Sequence, residues 1–181
     1  MKIIVTTPRL YLRELEHDDV EDLFEMDADP AVHRYIENKP VQTRDEISRV
    51  ISMLKEQYRA FGIARWAVID KENNECIGWA GLKYFNEPIN NHCNIYELGY
   101  RFKQKHWGKG FATESAGAVL KYGFNILGLE TIYAITHPDN DNSKRVLTKL
   151  GFEYKERFDY DGDPTDWFVL QKQNCTSCSP E

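Results

Sequence analysis

Apolar and polar residues alternate along several short stretches in the first part of this chain. The alternation predicts strands over residues 8–13, 65–70, 76–85 and 94–103. A polar turn and then a loop rich in proline and asparagine separate the last three stretches. Because short connections of this kind join neighbouring strands, the three stretches are expected to form an antiparallel meander.

Two helices are predicted ahead of that meander. Thr43 is followed three residues later by Glu46, a pairing that is typical of the first turn of a helix. Asp18 and Glu21 have the same spacing and predict an earlier helix start. The helix after Thr43 carries its apolar residues on one face, at Ile47, Val50, Ile51, Leu54 and Tyr58.

The second half of the chain predicts a strand that follows a long amphipathic helix. This strand covers residues 131–136, and because a helix precedes it, parallel pairing with strand 94–103 is expected. Gly151 ends a further helix, after which a closing strand pair is expected over 152–159 and 166–172. The pattern as a whole predicts a mixed α/β fold.

A basic turn containing two glycines leads from strand 94–103 into the long helix. Glycine lets the backbone bend tightly, and the first amides of a helix point outward with the positive end of the helix dipole. Basic side chains surround the turn without an acidic residue among them, so it is predicted to bind a multiply phosphorylated anion. The turn reads Lys105-His106-Trp107-Gly108-Lys109-Gly110-Phe111-Ala112-Thr113-Glu114, and Arg101 and Lys103 precede it.

Three kinds of nucleotide site compete for this turn. A Walker A loop requires Lys followed by Ser or Thr after the second glycine, where this chain has Phe111 and Ala112. A dinucleotide fingerprint requires a third glycine, and Thr113 stands in that place, while the acidic Glu130 precedes the next strand instead of ending it. Coenzyme A, another cofactor with a pyrophosphate, is the remaining candidate.

Length and composition narrow the class of protein. A chain of 181 residues fits one domain, expected over residues 1–172, and residues 173–181 are expected to form a disordered tail that includes Cys175 and Cys178. The first apolar run is too short for a signal or membrane segment, so a cytoplasmic location is expected. The four cysteines lack paired spacing, and no metal is expected. A net charge of -6 disfavours nucleic acid as a partner.

Further motifs carry a resemblance to a known family. Asn140-Asp141-Asn142-Ser143 opens a helix that ends Lys149-Leu150-Gly151-Phe152, and the stretches Thr7-Pro8-Arg9-Leu10-Tyr11-Leu12-Arg13 and Ile77-Gly78-Trp79-Ala80-Gly81-Leu82 lie upstream of the glycine turn. In this order and spacing, the chain resembles the GNAT superfamily of acyl-CoA N-acyltransferases. Within that superfamily it is similar to the Rim-type branch, which acetylates N-terminal alanines of ribosomal proteins.

The resemblance implies an α/β (α+β) fold and a cosubstrate. The expected fold has a largely antiparallel central sheet, helices on both faces and a parallel strand pair that splays apart around the pantetheine arm of acetyl-CoA. The expected contacts of the coenzyme are Arg101, Phe102, Lys103, Lys105, His106, Gly108, Lys109, Gly110, Phe111, Ala112, Thr113, Asn140 and Ser143.

Acetyl transfer to an amine requires a base for the ammonium proton and an acid for the departing thiolate. Glu97 is the hypothesised base, and its alternative is an exposed strand glutamate in a cross-strand ion pair. By analogy with the Rim-type branch, Ser143 is the candidate acid, and its alternative is a first-turn hydroxyl that bonds the backbone. Many GNAT enzymes have a tyrosine where this chain has Leu147. Asn140 is expected to contact the coenzyme or to cap the helix.

The acceptor is less defined by the sequence. The resemblance implies a primary amine, with a protein or peptide N-terminus favoured and a polyamine, amino sugar or amino acid left open. It also implies that residues 25–45 shape specificity. A sensor that binds acyl-CoA without transferring the acyl group is the alternative of another class. A monomer and a homodimer are both compatible with the resemblance.

Overall fold

The computed structural model describes residues 3–36 and 38–177. Within these residues, five α-helices accompany one sheet of eight strands. The strands are β1 Ile3–Thr6, β2 Leu10–Glu14, β3 Arg65–Asp70, β4 Cys76–Phe85, β5 Ile95–Phe102, β6 Thr131–Thr136, β7 Glu153–Tyr160 and β8 Asp163–Gln171. The helices are α1 Val20–Asp27, α2 Pro30–His33, α3 Arg44–Phe61, α4 Phe111–Asn125 and α5 Asp141–Leu150.

The strands follow the order β1-β2-β3-β4-β5-β6-β8-β7. All neighbours are antiparallel except β5 and β6, which are parallel. The predicted meander is confirmed as β3, β4 and β5, and the predicted parallel pair is confirmed as β5 and β6. The closing strands also form, although their turn is shorter than the sequence suggested because Asp161 and Gly162 both adopt positive φ and close it tightly.

Helices cover both faces of the sheet. On one face α4 packs against β4 and β5, and the ring of Tyr122 meets Trp66 of β3 edge-on at 5.0 Å between centroids. On the other face lies α1, whose Asp27 pairs with Arg101. Successive strand residues point to opposite faces, so Arg101 faces α1 and its neighbour Tyr100 faces the side of α4 and α5.

The start of α3 follows the sequence prediction, and the start of α1 does not. Thr43 and Glu46 exchange the reciprocal hydrogen bonds of a capping box before α3. In the earlier segment, the box is formed by Glu16 and Asp19 around a short 3-10 turn, so the predicted Asp18 and Glu21 pairing is wrong. Asp19 is drawn to this position because its carboxylate also binds Arg13. Over the described ranges, no helix is long and apolar enough to span a bilayer.

The described part of the expected C-terminal tail is packed against the domain. Cys175 is only 6% exposed and belongs to the main core, and the Thr176 hydroxyl donates a hydrogen bond to the Lys149 carbonyl at 2.8 Å. Gly151 permits this path, because a β-carbon there would lie 2.4 Å from the carbonyl oxygen of Asn174. The expectation of disorder is therefore corrected for residues 173–177, and Cys178 lies outside the described residues.

Candidate active site

The glycine turn leaves the start of α4 open to a ligand. Gly108 and Gly110 adopt φ values of 74° and 83°, in the left-handed region that favours glycine. No side chain caps the helix at Gly110. The amides of Phe111, Ala112 and Thr113 donate hydrogen bonds to no described residue. Three free donors at the positive end of a helix form a site for an anion.

An ion pair holds this turn against the start of β2. The Arg9 Nε donates to Glu114 Oε2 at 2.6 Å, and Arg9 Nη1 donates to the Lys109 carbonyl at 2.9 Å. The Thr7 hydroxyl donates to the other oxygen of Glu114 at 2.6 Å, and the guanidinium lies 4.4 Å from the centre of the Phe111 ring. The Arg9–Glu114 pair therefore fixes the backbone conformation on which the free amides depend.

Lys103 does not face the turn, contrary to the sequence prediction. Its side chain is buried, and Nζ donates to Asp22 at 2.6 Å, Glu25 at 2.7 Å and Glu75 at 2.9 Å. These carboxylates lie close enough together to bind a cation, and the Lys103 ammonium is that cation. Burial acts to lower the pKa of Lys103, but the three hydrogen bonds outweigh it and raise the pKa. The side chain is thus corrected from a coenzyme contact to a buried structural cation.

The other basic residues before the turn are also partly neutralised. Lys105 is 51% exposed and pairs with Glu25 at 3.0 Å and Glu75 at 2.8 Å. Burial acts to raise the pKa of Glu75, but hydrogen bonds from Lys105 and Lys103 lower it to about 2. Arg101 is turned away to Asp27 at 2.7 Å. The sequence showed no acid among these bases because their partners lie on α1 and the β3–β4 turn.

The remaining turn residues divide between packing and exposure. Phe102 and Phe111 are buried in the core, and His106 is buried beside Phe111. Trp107 is 43% exposed and donates from Nε1 to the Phe102 carbonyl at 2.8 Å. The centre of the turn, Gly108, Lys109 and Gly110, is exposed and presents mainly backbone and one lysine to a ligand.

The two parallel strands separate directly after Glu97. Their one paired position within the described residues joins Glu97 of β5 to Tyr133 of β6. Beyond it, β5 continues to the glycine turn and β6 continues to the start of α5. Asn140 caps that helix, because its Oδ1 accepts a hydrogen bond from the Ser143 amide at 3.1 Å. The splayed pair predicted from the sequence is therefore present, with Asn140 and Ser143 at its open end.

Tyr100 supplies a hydroxyl that the sequence analysis had not assigned. Its Oη lies 3.1 Å from Ser143 Oγ and donates to the Ser143 carbonyl at 3.2 Å. Burial raises the pKa of Tyr100, an effect that the hydrogen bond with Ser143 only partly offsets. Leu147, which occupies the place of a tyrosine in many GNAT enzymes, is buried in the core. A tyrosine hydroxyl thus reaches Ser143 from β5 and not from α5.

Glu97 is a buried carboxylate on the opposite face of β5. It is 5% exposed, and among the described residues it forms no hydrogen bond and no ion pair. Burial raises the pKa of Glu97, and the positive charges of Arg65 and Lys83 offset only part of that rise. The alternative of an exposed, ion-paired glutamate is therefore wrong. A carboxylate with a raised pKa at the splay point is suited to accept a proton.

Comparison with known families agrees with this geometry. A family model described as the acetyltransferase (GNAT) domain matches residues 9–153. This chain belongs to the GNAT acetyltransferases. The matched range runs from Arg9, which anchors the glycine turn, to the start of β7, and so contains Glu97, Tyr100, the glycine turn, Asn140 and Ser143. The resemblance inferred from the sequence is confirmed.

Individual relatives extend the comparison. The GNAT chain is 32% identical to the N-acetyltransferase YoaA of Bacillus subtilis over 83% of its own length and 82% of the relative's. It is 30% identical to spermidine N(1)-acetyltransferase of Escherichia coli over 78% and 71% of the two chains. The ribosomal L7/L12 alpha-N-protein acetyltransferase RimL, solved with coenzyme A, shares the fold with a TM-score of 0.79, 17% identity and coverage of 94% and 98%.

Proposed function

We propose that this GNAT chain transfers an acetyl group from acetyl-CoA to a primary amine, which attacks the thioester directly. One observation carries the proposal. The parallel strands open at Glu97, a buried carboxylate lies at that point, and the hydroxyls of Tyr100 and Ser143 lie at the open end. This arrangement supports a base and a proton donor on either side of one gap in the sheet.

Coenzyme A would be held by backbone more than by side chains. The free amides of Phe111, Ala112 and Thr113 fit the pyrophosphate, because a helix N-terminus binds phosphate through such amides. The Lys109 side chain is exposed beside them and adds charge. The opening between β5 and β6 supports a place for the pantetheine arm, since unpaired strand edges offer amides and carbonyls to an extended amide chain.

Glu97 is the proposed base. The ammonium of the acceptor loses one proton to the carboxylate, and the free amine forms a bond to the thioester carbon. The nitrogen then loses a second proton to solvent as the carbon–sulfur bond breaks, which balances the proton that the departing thiolate takes up. An ordinary glutamate is too weak a base for an amine, and the burial that raises the pKa of Glu97 narrows the mismatch. The pairing position of Glu97 directly before the opening supports this role.

Ser143 is the proposed donor of the proton that the coenzyme A thiolate takes up, with Tyr100 behind it. Tyr100 donates to the Ser143 carbonyl, so the Ser143 hydroxyl can orient its own proton toward Tyr100 or toward a ligand in the gap. The two hydroxyls form a short relay in which Tyr100 can return a proton to Ser143. Leu147 offers no hydroxyl for this purpose.

The acceptor that we propose is the N-terminus of a protein or peptide, as the Rim-type resemblance implies. A polyamine is the second candidate, because spermidine N(1)-acetyltransferase is 30% identical to this chain. Two cations, Arg65 and Lys83, influence Glu97 electrostatically, and this surrounding is unfavourable for a molecule with several positive charges. The charge of the site therefore supports the peptide over the polyamine.

The proposal is tested by following free thiol released from acetyl-CoA with a panel of peptides, polyamines, amino sugars and amino acids, beside a calorimetric titration of coenzyme A. Acceptor-dependent thiol release is expected, and mass spectrometry should show one acetyl group on the amine. Tight coenzyme A binding with no acceptor-dependent release would favour an acyl-CoA sensor over an enzyme. Absence of coenzyme A binding would overturn the assignment of the glycine turn.

A further inference from the structure

Two cations beside Glu97 have no anionic partner. Lys83 of β4 stands directly opposite Glu97 in the sheet register, and Arg65 begins β3 two strands away. Neither side chain forms an ion pair or hydrogen bond with a described residue. The Arg65 Nε is buried without a partner, and Arg65 and Lys83 are each half-buried as whole residues. Both cations therefore remain available to pair with an anion that reaches this part of the site.

The neighbouring cations on this part of the sheet are all paired. Arg101 binds Asp27 at 2.7 Å, and Lys103 binds three carboxylates between 2.6 and 2.9 Å. Arg65 instead stacks on Trp79, with 4.3 Å from its guanidinium carbon to the ring centroid. Such stacking leaves the edge of a guanidinium free for bidentate hydrogen bonds to a carboxylate. Arg65 is thus oriented by its stacking without being neutralised by it.

The indole of Trp79 links Arg65 to the proposed base. A β-carbon placed on Gly99 would lie 3.2 Å from the Trp79 ring and 3.6 Å from Glu97 Oε1, so the ring and the carboxylate meet above this glycine. The Arg65 guanidinium and the Glu97 carboxylate therefore border the same indole ring. A carboxylate bound by Arg65 and an amine bound by Glu97 would then lie only a few bonds apart in the same small molecule or the same amino-acid residue.

We propose that the acceptor carries a carboxylate within a few bonds of its reacting amine, and that Arg65, aided by Lys83, binds that carboxylate while Glu97 receives the amine. The inference rests on the proposed acetyl transfer and narrows its substrate class. Two sources offer this chemistry: an acidic side chain on the first residue of a peptide, and the free carboxylate of an amino acid. A polyamine would instead bring a second ammonium group to Arg65 and Lys83, where its positive charge would be repelled.

The test compares kcat/KM for matched acceptors on the full chain. Peptides that begin with Asp or Glu are paired with otherwise identical peptides that begin with Asn or Gln, alanine is paired with alaninamide, and spermidine represents the cations. A preference of about ten- to hundredfold for the carboxylate member of a pair is expected, as for a hydrogen bond to a charged group. The peptide pairs report an acidic side chain, and the alanine pair reports a free carboxylate.

Three variants connect the preference to these residues. Arg65→Gln should remove the preference for the acid, and Arg65→Glu should shift it toward spermidine. Arg59→Gln, at an exposed arginine on α3, is the matched control and should keep the wild-type ratio. Lys83→Met provides an independent variant should the Arg65 substitutions unfold the protein, and it should reduce the ratio.

The possible outcomes separate this inference from the function on which it rests. Transfer that prefers neither member of any pair, that favours spermidine, or that keeps its acid preference in Arg65→Gln and Lys83→Met would overturn the inference and leave acetyl transfer standing. If no acceptor in the panel increases thiol release, both the inference and the proposed acetyl transfer are overturned. A carboxylate preference that disappears with Arg65→Gln and survives in Arg59→Gln would establish it.

Discussion

The hydroxyl of Tyr100 lies 3.1 Å from the hydroxyl of Ser143, joining β5 to the first turn of α5 across the open end of the parallel strand pair. The two residues are 43 positions apart in the chain. Tyr100 is half-buried and also donates a hydrogen bond to the Ser143 carbonyl, so two contacts hold the pair of hydroxyls in one geometry. This relationship places a second hydroxyl, from β5, beside the hydroxyl that α5 provides at Ser143.

Removal of either hydroxyl should slow the chemical step. We expect Ser143→Ala and Tyr100→Phe each to lower the single-turnover rate by about a hundredfold, the usual contribution of a positioned acid. The double variant should be little worse than the slower single variant, because groups that act as one unit are not additive. Rapid-quench measurement of acetyl transfer checks this.

Tyr154→Phe is the matched control, since this tyrosine is exposed on β7 and its hydroxyl should not matter to the rate. Normal single-turnover rates in both Ser143→Ala and Tyr100→Phe would remove the pair from the mechanism. Strict additivity of their effects would mean that the two hydroxyls act separately.

Glu97→Gln should lose activity and gain stability near neutral pH. Burial raises the pKa of Glu97 in the folded state above its value in the unfolded chain, so the folded state holds the proton more tightly. The stability that Glu97 contributes is then greatest at low pH and decreases as pH rises above the ordinary range of glutamate. Glutamine carries no charge and escapes this loss, while its amide cannot accept the ammonium proton.

We expect urea unfolding to show Glu97→Gln more stable than the wild type at pH 8, with the difference shrinking toward pH 5. The transfer rate should fall by about a hundredfold or more and lose its rise with pH. Glu87→Gln, at an exposed position in the loop before β5, controls for loss of one negative charge. A Glu97→Gln enzyme with wild-type turnover across pH would exclude Glu97 as the base.

Gly110→Ala should weaken coenzyme A binding. A side chain at φ 83° is strained by about 1 kcal/mol, and its β-carbon would lie 3.4 Å from the Arg9 guanidinium that holds the turn. We expect at least a tenfold rise in the Kd for coenzyme A by calorimetry.

Gly62→Ala is the control for that experiment. Gly62 ends α3 with φ 72°, and a β-carbon there would contact nothing within 4 Å. It should therefore show a similar loss of stability without any change in coenzyme A affinity. Equal Kd values for the two variants would show that the turn at Gly110 does not bind the coenzyme.

Lys103→Met should destabilise the fold more than Lys105→Met. Removing the buried Lys103 ammonium leaves Asp22, Glu25 and Glu75 facing one another, which should cost on the order of 3 kcal/mol at pH 7. Lys105 is half exposed, and its loss should cost less than about 1 kcal/mol.

The pH dependence of this difference follows from the sign of the shift on Glu75. In the wild type the pKa of Glu75 is lowered to about 2, so its contribution to stability is full above the ordinary range of glutamate and is lost as pH falls toward 2. Lys103→Met loses the part of that contribution that depends on Lys103, while Lys105 still pairs with Glu75. The repulsion among the carboxylates left in this variant is relieved when they are protonated. The difference in unfolding free energy between the wild type and Lys103→Met, measured by urea unfolding, should therefore narrow from pH 7 to pH 4. A difference that widens over this range would contradict this account.

Local patterns in the sequence were enough for most of the elements, although β1 and α2 were not predicted. Strands β3 and β4 begin and end at the predicted residues, and the Thr43–Glu46 capping box forms as expected. The free amides in the first turn of α4 follow from a short segment, since two glycines and a helix start are all they need. Such features depend on neighbours within a few residues, and a single sequence records those neighbours directly.

Side-chain partners that are distant in the chain were decided only by the tertiary structure. Lys103 was predicted to bind phosphate, but α1 and the β3–β4 turn bring three carboxylates to it. Tyr100 had no predicted role in the site, and only the packing of α5 brings Ser143 to its hydroxyl. The sequence alone determined that this protein has a helix N-terminus fit for an anion beside a parallel strand pair. Which charges remain free there, and which hydroxyl meets Ser143, depended on folding, because burial and pairing are properties of residues that meet only in three dimensions.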